Sequence, residues 1–165
     1  MRFDDLPAGE RIFLDANPLV YHFIPFPVLG PLCTKLIDRI ESKEVAALTS
    51  THVLGEVAHH LMTTEASQQF GWTLKAVERL KQDPTRIQQL TTFRQAIEKV
   101  LQLGIQVVTI PADLVAAAAA LSVEYGLLTN DALVVAVMQA NGLTNIASSD
   151  ADFDRVPGLT RYAPA

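Results

Sequence analysis

Arg11-Ile12-Phe13-Leu14-Asp15-Ala16-Asn17-Pro18 is the stretch on which the fold turns. Three large apolar residues in a row, too few for a helix, read as a short strand buried on both faces. Asp15 to Pro18 then stop it, with Asn17 as a cap and Pro18 in the first position of a helix. A buried strand running directly into a helix is the opening of an alternating α/β chain.

The alternation continues downstream. Pro25, Pro27, Gly30 and Pro31 mark a loop, and Leu32, Leu36, Ile37 and Ile40 recur at helical spacing up to about Ser42. Val45 to Thr49 is a second strand, and Ser50 caps a helix with Val53, Leu54, Val57, Ala58 and Leu61 on its apolar side. Ile105 to Ile110 is a third strand. Pro111 opens a helix that Gly126 closes after Tyr125. Its alanine run, Ala116 to Ala120, stays amphipathic through Leu114, Val115, Leu121 and Tyr125, and reads as a closely packed helix. Thr129 to Asn141 is a further helix stopped by Gly142, Asn145 to Ser148 a fourth strand, and Pro157 to Tyr162 an added edge strand.

The rhythm is interrupted between Thr63 and Leu103, which carries helical periodicity and no strand signal. One amphipathic helix is expected from about Trp72 to Lys81. Asp83-Pro84 restarts a second, with Ile87, Leu90, Phe93, Ile97 and Leu101 on one stripe and Gly104 as its stop. The reading is a single domain over residues 1–165 with a helical hairpin inserted at about 63–103.

Composition narrows the class. In 165 residues, 49% are hydrophobic and 19% charged, enough apolar area for a core and no case for disorder. The longest apolar run, Leu114 to Leu121, is far short of the ~18 to 20 residues of a membrane span, so no membrane partner is expected. Met1 to Pro7 lacks the basic-then-apolar pattern of a secretory signal, and a single cysteine, Cys33, forms neither an internal disulfide nor a thiolate zinc site. A cytoplasmic setting is the expectation. The net charge of −5 excludes coating of nucleic acid by bulk electrostatics. Residues 71–103 nevertheless hold six Lys and Arg against three Asp and Glu, a local +3 that leaves −8 elsewhere.

Alternating strands and helices imply a mostly parallel sheet, whose functional crevice lies beyond the carboxyl ends of its strands. Four acids meet that rule. Asp15 follows the first strand, Glu56 lies less than two turns into the helix after the second, Asp131 opens the last long helix, and Asp150 follows the fourth strand. Each has an ordinary alternative: a helix dipole favours Asp131 anyway, Asp15 can serve a turn, and Asp150, Asp152 and Asp154 can form an exposed loop. Glu56 is harder to dismiss, since it sits beside an apolar stripe where an unpaired charge is costly. Carboxylates ~5 Å apart repel by about 3 kcal/mol at an effective dielectric near 20, which protons or a cation relieve. Hard oxygen donors without thiolates select magnesium or manganese, and such an ion promotes phosphodiester hydrolysis.

Leu14-Asp15-Ala16-Asn17-Pro18-Leu19-Val20-Tyr21, Leu54-Gly55-Glu56-Val57, Asn130-Asp131-Ala132-Leu133 and Ser148-Ser149-Asp150-Ala151-Asp152-Phe153-Asp154-Arg155-Val156-Pro157-Gly158-Leu159 together resemble, in order and spacing, the PIN-domain nucleases, especially the VapC-like toxin ribonucleases. The resemblance spans nearly the whole chain. It implies an α/β fold, a PIN-like three-layer αβα sandwich, and a Mg2+- or Mn2+-dependent endoribonuclease whose acidic site is Asp15, Glu56, Asp131 and Asp150. Asp152 supplements the metal ligands there, and Asn17 and Ser148 orient the acids. It also implies an RNA substrate, a homodimer and, for a toxin, a small antitoxin protein as partner.

Other constellations compete. An aspartate after the first strand also suits a phosphoaspartyl phosphatase of the haloacid dehalogenase type, although that chemistry wants a second aspartate where Asn17 stands. A catalytically inactive PIN-like binding module is the third class. His52, His59 and His60 share a helix with Glu56, but Glu56-Val57-Ala58-His59 is only one Glu-x-x-His; His60, one turn on, reads as an ordinary surface histidine in preference to a hydrogen-bond partner of Glu56. Lys75, Arg79, Lys81, Arg86 and Arg94 are the densest supply of cations for RNA phosphates. Phe70 and Trp72 beside them either stack bases or pack the hairpin.

Overall fold

A computed structural model describes residues 1–165. In chain order the elements are β1 (Arg11–Leu14), α1 (Ala16–Phe23), α2 (Leu29–Glu41), β2 (Ala46–Ser50), α3 (Thr51–Phe70), α4 (Ala76–Gln82), α5 (Pro84–Ile87) and α6 (Thr92–Val100). Then come β3 (Gln106–Val108), α7 (Ala112–Tyr125), α8 (Thr129–Ala140), β4 (Asn145–Ala147) and β5 (Thr160–Tyr162), with short 3-10 turns at Phe3–Asp5 and Ala151–Arg155.

The five strands form one sheet in the order β3-β2-β1-β4-β5, and every pairing is parallel. Phe13 in the central strand pairs with Leu48 on one side and Ile146 on the other. Ile12, Phe13 and Leu14 are fully buried, as a strand covered on both faces requires. From β1 the chain steps outward through β2 to β3, then returns across the sheet to β4. Right-handed crossovers therefore put α1 to α6 on one face and α7 with α8 on the other, giving three layers. The order reverses between β1 and β4, and in open parallel sheets that reversal opens a crevice at the strands' carboxyl ends. Asp15 and Asp150 stand just beyond those two ends.

The core is one cluster of 37 buried residues. Its centre includes α8, in which Ala132 to Met138 are all buried. The alanine helix α7 packs against α8 along one line only: Ala118 is buried, while Ala116, Ala117, Ala119 and Ala120 are exposed. It is less enclosed than its composition suggests. Cys33 is buried and its thiol is pushed up to about 12 by burial, which leaves it unreactive. No single helix is long and apolar enough to cross a membrane.

The excursion between β2 and β3 departs from a two-helix hairpin. α3 continues to Phe70, Gly71 ends it in the left-handed conformation, and the next helix starts only at Ala76, after Lys75 at φ 63°. The expected second helix is broken into α5 and α6. The break is held by Glu65 of α3, whose carboxylate accepts from the backbone N–H groups of Thr91 (2.9 Å), Thr92 (3.0 Å) and Phe93 (2.8 Å) at the start of α6. Burial acts to raise the Glu65 pKa, but the three amides together hold it below the ordinary value. Ile87 and Leu101, expected on the buried stripe, are exposed, and Leu90 packs with Ala66 and Leu80 in a small separate cluster bordered by Phe70 and Trp72.

Candidate active site

Asp15 is the N-cap of α1. Its Oδ1 accepts from the Ala16 backbone N–H at 2.7 Å, so the helix begins one residue before Asn17, and Pro18 occupies its third position rather than its first. Its Oδ2 accepts from Asn17 Nδ2 (2.8 Å) and from the Ser148 hydroxyl (2.6 Å). Ser148 is fully buried at the end of β4, and its Oγ also accepts from Asn17 Nδ2 (3.2 Å) and from the Asp150 N–H (3.0 Å). Asn17 Oδ1 in turn accepts from the Ser149 N–H at 2.8 Å. With one donor and two acceptor positions occupied, the Ser148 hydroxyl has a single possible orientation. Asn17 and Ser148 thus lock the carboxyl ends of β1 and β4 together around Asp15.

Three more acids face the same crevice. The carboxylate oxygens of Asp131, Asp150 and Asp152 lie within 4.8 Å of one another. Asp131 comes from the first turn of α8, and Asp150 caps the 3-10 turn that carries Asp152, accepting from the Asp152 N–H at 2.9 Å. Burial and then the carboxylates of Asp150, Asp15, Asp152 and Glu56 push the Asp131 pKa up to about 6. Asp15 is also raised, chiefly by burial; hydrogen bonds from Ser148 and Ala16 oppose this, and Glu56 and Asp150 add to it. Asp131 therefore feels all four of the other acids. Three hard oxygen donors without sulfur or nitrogen fit a divalent cation such as magnesium or manganese. Of the five acids expected at the metal, Asp131, Asp150 and Asp152 form the tight group, while Asp15 and Glu56 border it.

Glu56 is held from an unexpected direction. Asn130 Nδ2, on α8 next to Asp131, donates to its Oε1 at 2.7 Å. The nearest imidazole is that of His52, with Nε2 at 3.6 Å, too long for a hydrogen bond; His60 makes no such bond. Helical side chains lean toward the N-terminus, so Glu56 reaches back over His52 instead of forward to His60. Asn130 was visible in the sequence only as the neighbour of Asp131. Arg155 is a second unforeseen participant: it pairs with Asp152 at 2.8 Å and donates to the Gly126 carbonyl at 3.0 Å, tying the acidic turn to the end of α7.

The basic residues of the excursion stand apart from the acids, and none of the five forms a hydrogen bond or ion pair with them. Arg79 lies over the Trp72 ring at 5.4 Å, and Arg86 over Phe70 at 4.8 Å and Trp72 at 5.2 Å. Arg86 also pairs with Asp83, and Arg94 with Glu98. Phe70 and Trp72 stack on each other at 5.0 Å. Those ring faces are occupied by the protein's own cations.

The PIN domain family model matches residues 12–159. The chain belongs to the PIN-domain family. This PIN domain is 28% identical over 152 residues to Ribonuclease VapC2 of Methanocaldococcus jannaschii, covering 91% of each chain. Its fold resembles that of Mycobacterium tuberculosis VapC20, a Sarcin-Ricin loop cleaving toxin, with a TM-score of 0.61 at 23% identity, covering 87% of this chain and 92% of that one. It also resembles Rickettsia felis VapBC2, solved bound to a DNA fragment from its promoter, with a TM-score of 0.61 at 15% identity over 93% and 98% of the two chains. Nothing in these similarities supports a phosphoaspartyl phosphatase, and the amide of Asn17 is committed to Asp15 and Ser148.

Proposed function

We propose that this PIN domain is a Mg2+- or Mn2+-dependent endoribonuclease, the toxin of a toxin–antitoxin pair. The observation that carries the reading is the convergence of Asp15, Glu56, Asp131, Asp150 and Asp152 at the reversal point of a parallel sheet, with Asp131 raised to about 6 by burial and then by the other acids. The similarity to Ribonuclease VapC2 and to a VapBC complex supports the substrate class and a small antitoxin as partner. A homodimer acting in the cytoplasm completes the proposal, with Lys75, Arg79, Lys81, Arg86 and Arg94 as the candidate cations for RNA phosphates.

In this reading Asp131, Asp150 and Asp152 would hold the divalent cation, which when bound would supply Lewis-acid chemistry toward a phosphoryl oxygen and offset the repulsion on Asp131. Asp15 is fixed by Ser148, Asn17 and the Ala16 amide, and burial makes its carboxylate more basic than usual. It takes the proton of the attacking water at a carboxylate oxygen. Glu56, tethered by Asn130, holds the rim of α3 at a set distance from α8.

The test is cleavage of single-stranded RNA by the purified chain with Mg2+ or Mn2+, compared with excess chelator and with Asp15→Asn. Cleavage that needs the ion and is abolished in Asp15→Asn is expected. Full cleavage by Asp15→Asn, or in chelator, would sink the assignment.

A further inference from the structure

Beside the carboxylates lies a groove of about 470 Å³ lined by no hydrophobic residue. Its wall on α3 is His52, Gly55, Glu56, His59 and His60, and Asn130 closes it from α8. Glu56 and His60 also line the adjoining depression that contains Asp15, so the groove and the Asp15 side of the acidic site share a wall. We propose that this histidine groove seats the nucleotide flanking the scissile phosphate of a single-stranded RNA. The proposal rests on the nuclease reading above and names the part of the substrate this face takes.

Gly55 is the informative residue. A glycine inside a helix costs about 1 kcal/mol relative to alanine, so a packing reason is usually sought. Gly30 in α2 has one: an added Cβ would meet the Tyr21 carbonyl oxygen at 3.1 Å. Gly55 has none, since an added Cβ would find nothing within 4 Å. A side chain at Gly55 would stand in the open space of the groove that this residue lines. The missing side chain leaves this volume open for a ligand, and that volume is within the ~300 to 1,000 Å³ of small-ligand sites.

The lining selects the ligand. Its only carboxylate is Glu56, already bonded to Asn130, whereas the adjoining depression holds both Asp15 and Glu56. A polyanion leaving the acidic site meets less repulsion along the histidine side than in that depression. Imidazoles offer an N–H to a phosphate oxygen in either protonation state, and a flat face on which a base stacks. His59 and His60 are exposed and available for both, and the Nε2 of His52 is buried without a hydrogen-bond partner. The groove also begins at the first turn of α3, where the helix dipole favours an anion.

The experiment separates this groove from the nuclease assignment. Binding of a fluorescently labelled single-stranded RNA of mixed sequence is measured in the Asp15→Asn chain, with and without Gly55→Leu or His59→Ala. Cleavage of the same RNA is measured with Asp15 restored. Gly55→Leu is expected to raise the melting temperature by about 3 °C, because leucine is the better helix former. It should weaken RNA binding and raise KM about tenfold, with kcat changed far less. His59→Ala should weaken binding by roughly five- to tenfold. A stabilised Gly55→Leu that binds and cleaves RNA like its parent overturns the groove and leaves the nuclease standing. Loss of binding in a chain that never cleaves RNA supports the groove and sinks the nuclease.

Discussion

The crevice between β1 and β4 and the excursion from α4 to α6 treat charge in opposite ways. In the crevice five carboxylates converge, and among them only Asp152 has a cationic partner closer than 3.6 Å, Arg155 at 2.8 Å. In and around the excursion several charges are met by the protein itself: Arg86 by Asp83 and two aromatic rings, Arg79 by Trp72, and Glu65 of α3 by three backbone amides. Repulsion that a fold leaves unrelieved marks where a ligand is to bind. Satisfied charges mark where the fold secures itself. Within the excursion α6 joins the main core through Ala96 and Val100, whereas α4 and α5 rest on the small cluster of Ala66, Leu80 and Leu90, which those polar and cation–aromatic contacts supplement.

The contrast breaks most sharply if residues of the two regions respond alike. Asp131→Asn and Asp150→Asn should each lower RNA cleavage by about 10³-fold or more, and the double variant should lose little further, because the acids act as a unit. Glu65→Gln should do the reverse. Replacing a charged acceptor of three backbone N–H bonds by a neutral amide costs on the order of 1 kcal/mol, a fall of about 2 to 4 °C in melting temperature, with kcat of the folded protein unchanged. Kinetic traces and thermal melts on the same preparations decide it. A Glu65→Gln protein that melts normally but has lost activity would erase the distinction.

The same contrast explains what could be read from sequence. Ile12-Phe13-Leu14 followed by Asp15 is a local signal: burial on both faces, then a break, within a few residues. The acids at the ends of β1 and β4 were legible because the crevice rule needs only strand order. What escaped depended on distant partners. The break between α5 and α6 is stabilised by Glu65, 26 to 28 residues earlier, and periodicity over Ile87, Leu90 and Phe93 carries no trace of it. Asn130 bonds Glu56 across 74 residues, and Arg155 reaches Gly126 across 29. The cap of α1 was misread by two residues, because Asp15 and Asn17 are both good cap formers and only the geometry chooses between them.

A smaller effect sharpens the electrostatic side. The Asp131 carboxyl has a folded pKa of about 6, above the ordinary value for an unfolded chain. Between those two values the native state holds the extra proton, so metal-free stability falls as pH rises through that interval. Asp15, also raised, adds in the same direction. Without divalent ions, the melting temperature should therefore decline from about pH 4 toward pH 7, and Asp131→Asn should flatten the decline. Added Mg2+ should stabilise more at pH 7 than at pH 5, since it binds the deprotonated acids. A metal-free melting temperature that climbs through this window would mean that the acids are not mutually destabilising.

The smallest effect concerns the cations of the excursion, and here the comparison divides the basic residues among themselves. Arg79 and Arg86 are stacked on Trp72 and Phe70, whereas Lys75 and Lys81 form no ion pair and no side-chain hydrogen bond. An ammonium in solvent can exchange its counterions for a phosphate at little cost, but a guanidinium leaving an aromatic face forfeits about 0.5 to 1 kcal/mol first. Each phosphate contact contributes ~0.7 to the slope of log affinity against log salt for single strands. In a chain silenced by Asp15→Asn, replacing Lys75 and Lys81 by glutamine should flatten that slope by up to ~1.4 without lowering the melting temperature. Replacing Arg79 and Arg86 should lower the melting temperature and leave the slope nearly intact. Should the arginine pair carry the slope, the stacks would be a resting position from which they swing to RNA, and the excursion would join the crevice as substrate-binding surface. Should neither pair move it, the RNA contacts lie outside the excursion altogether.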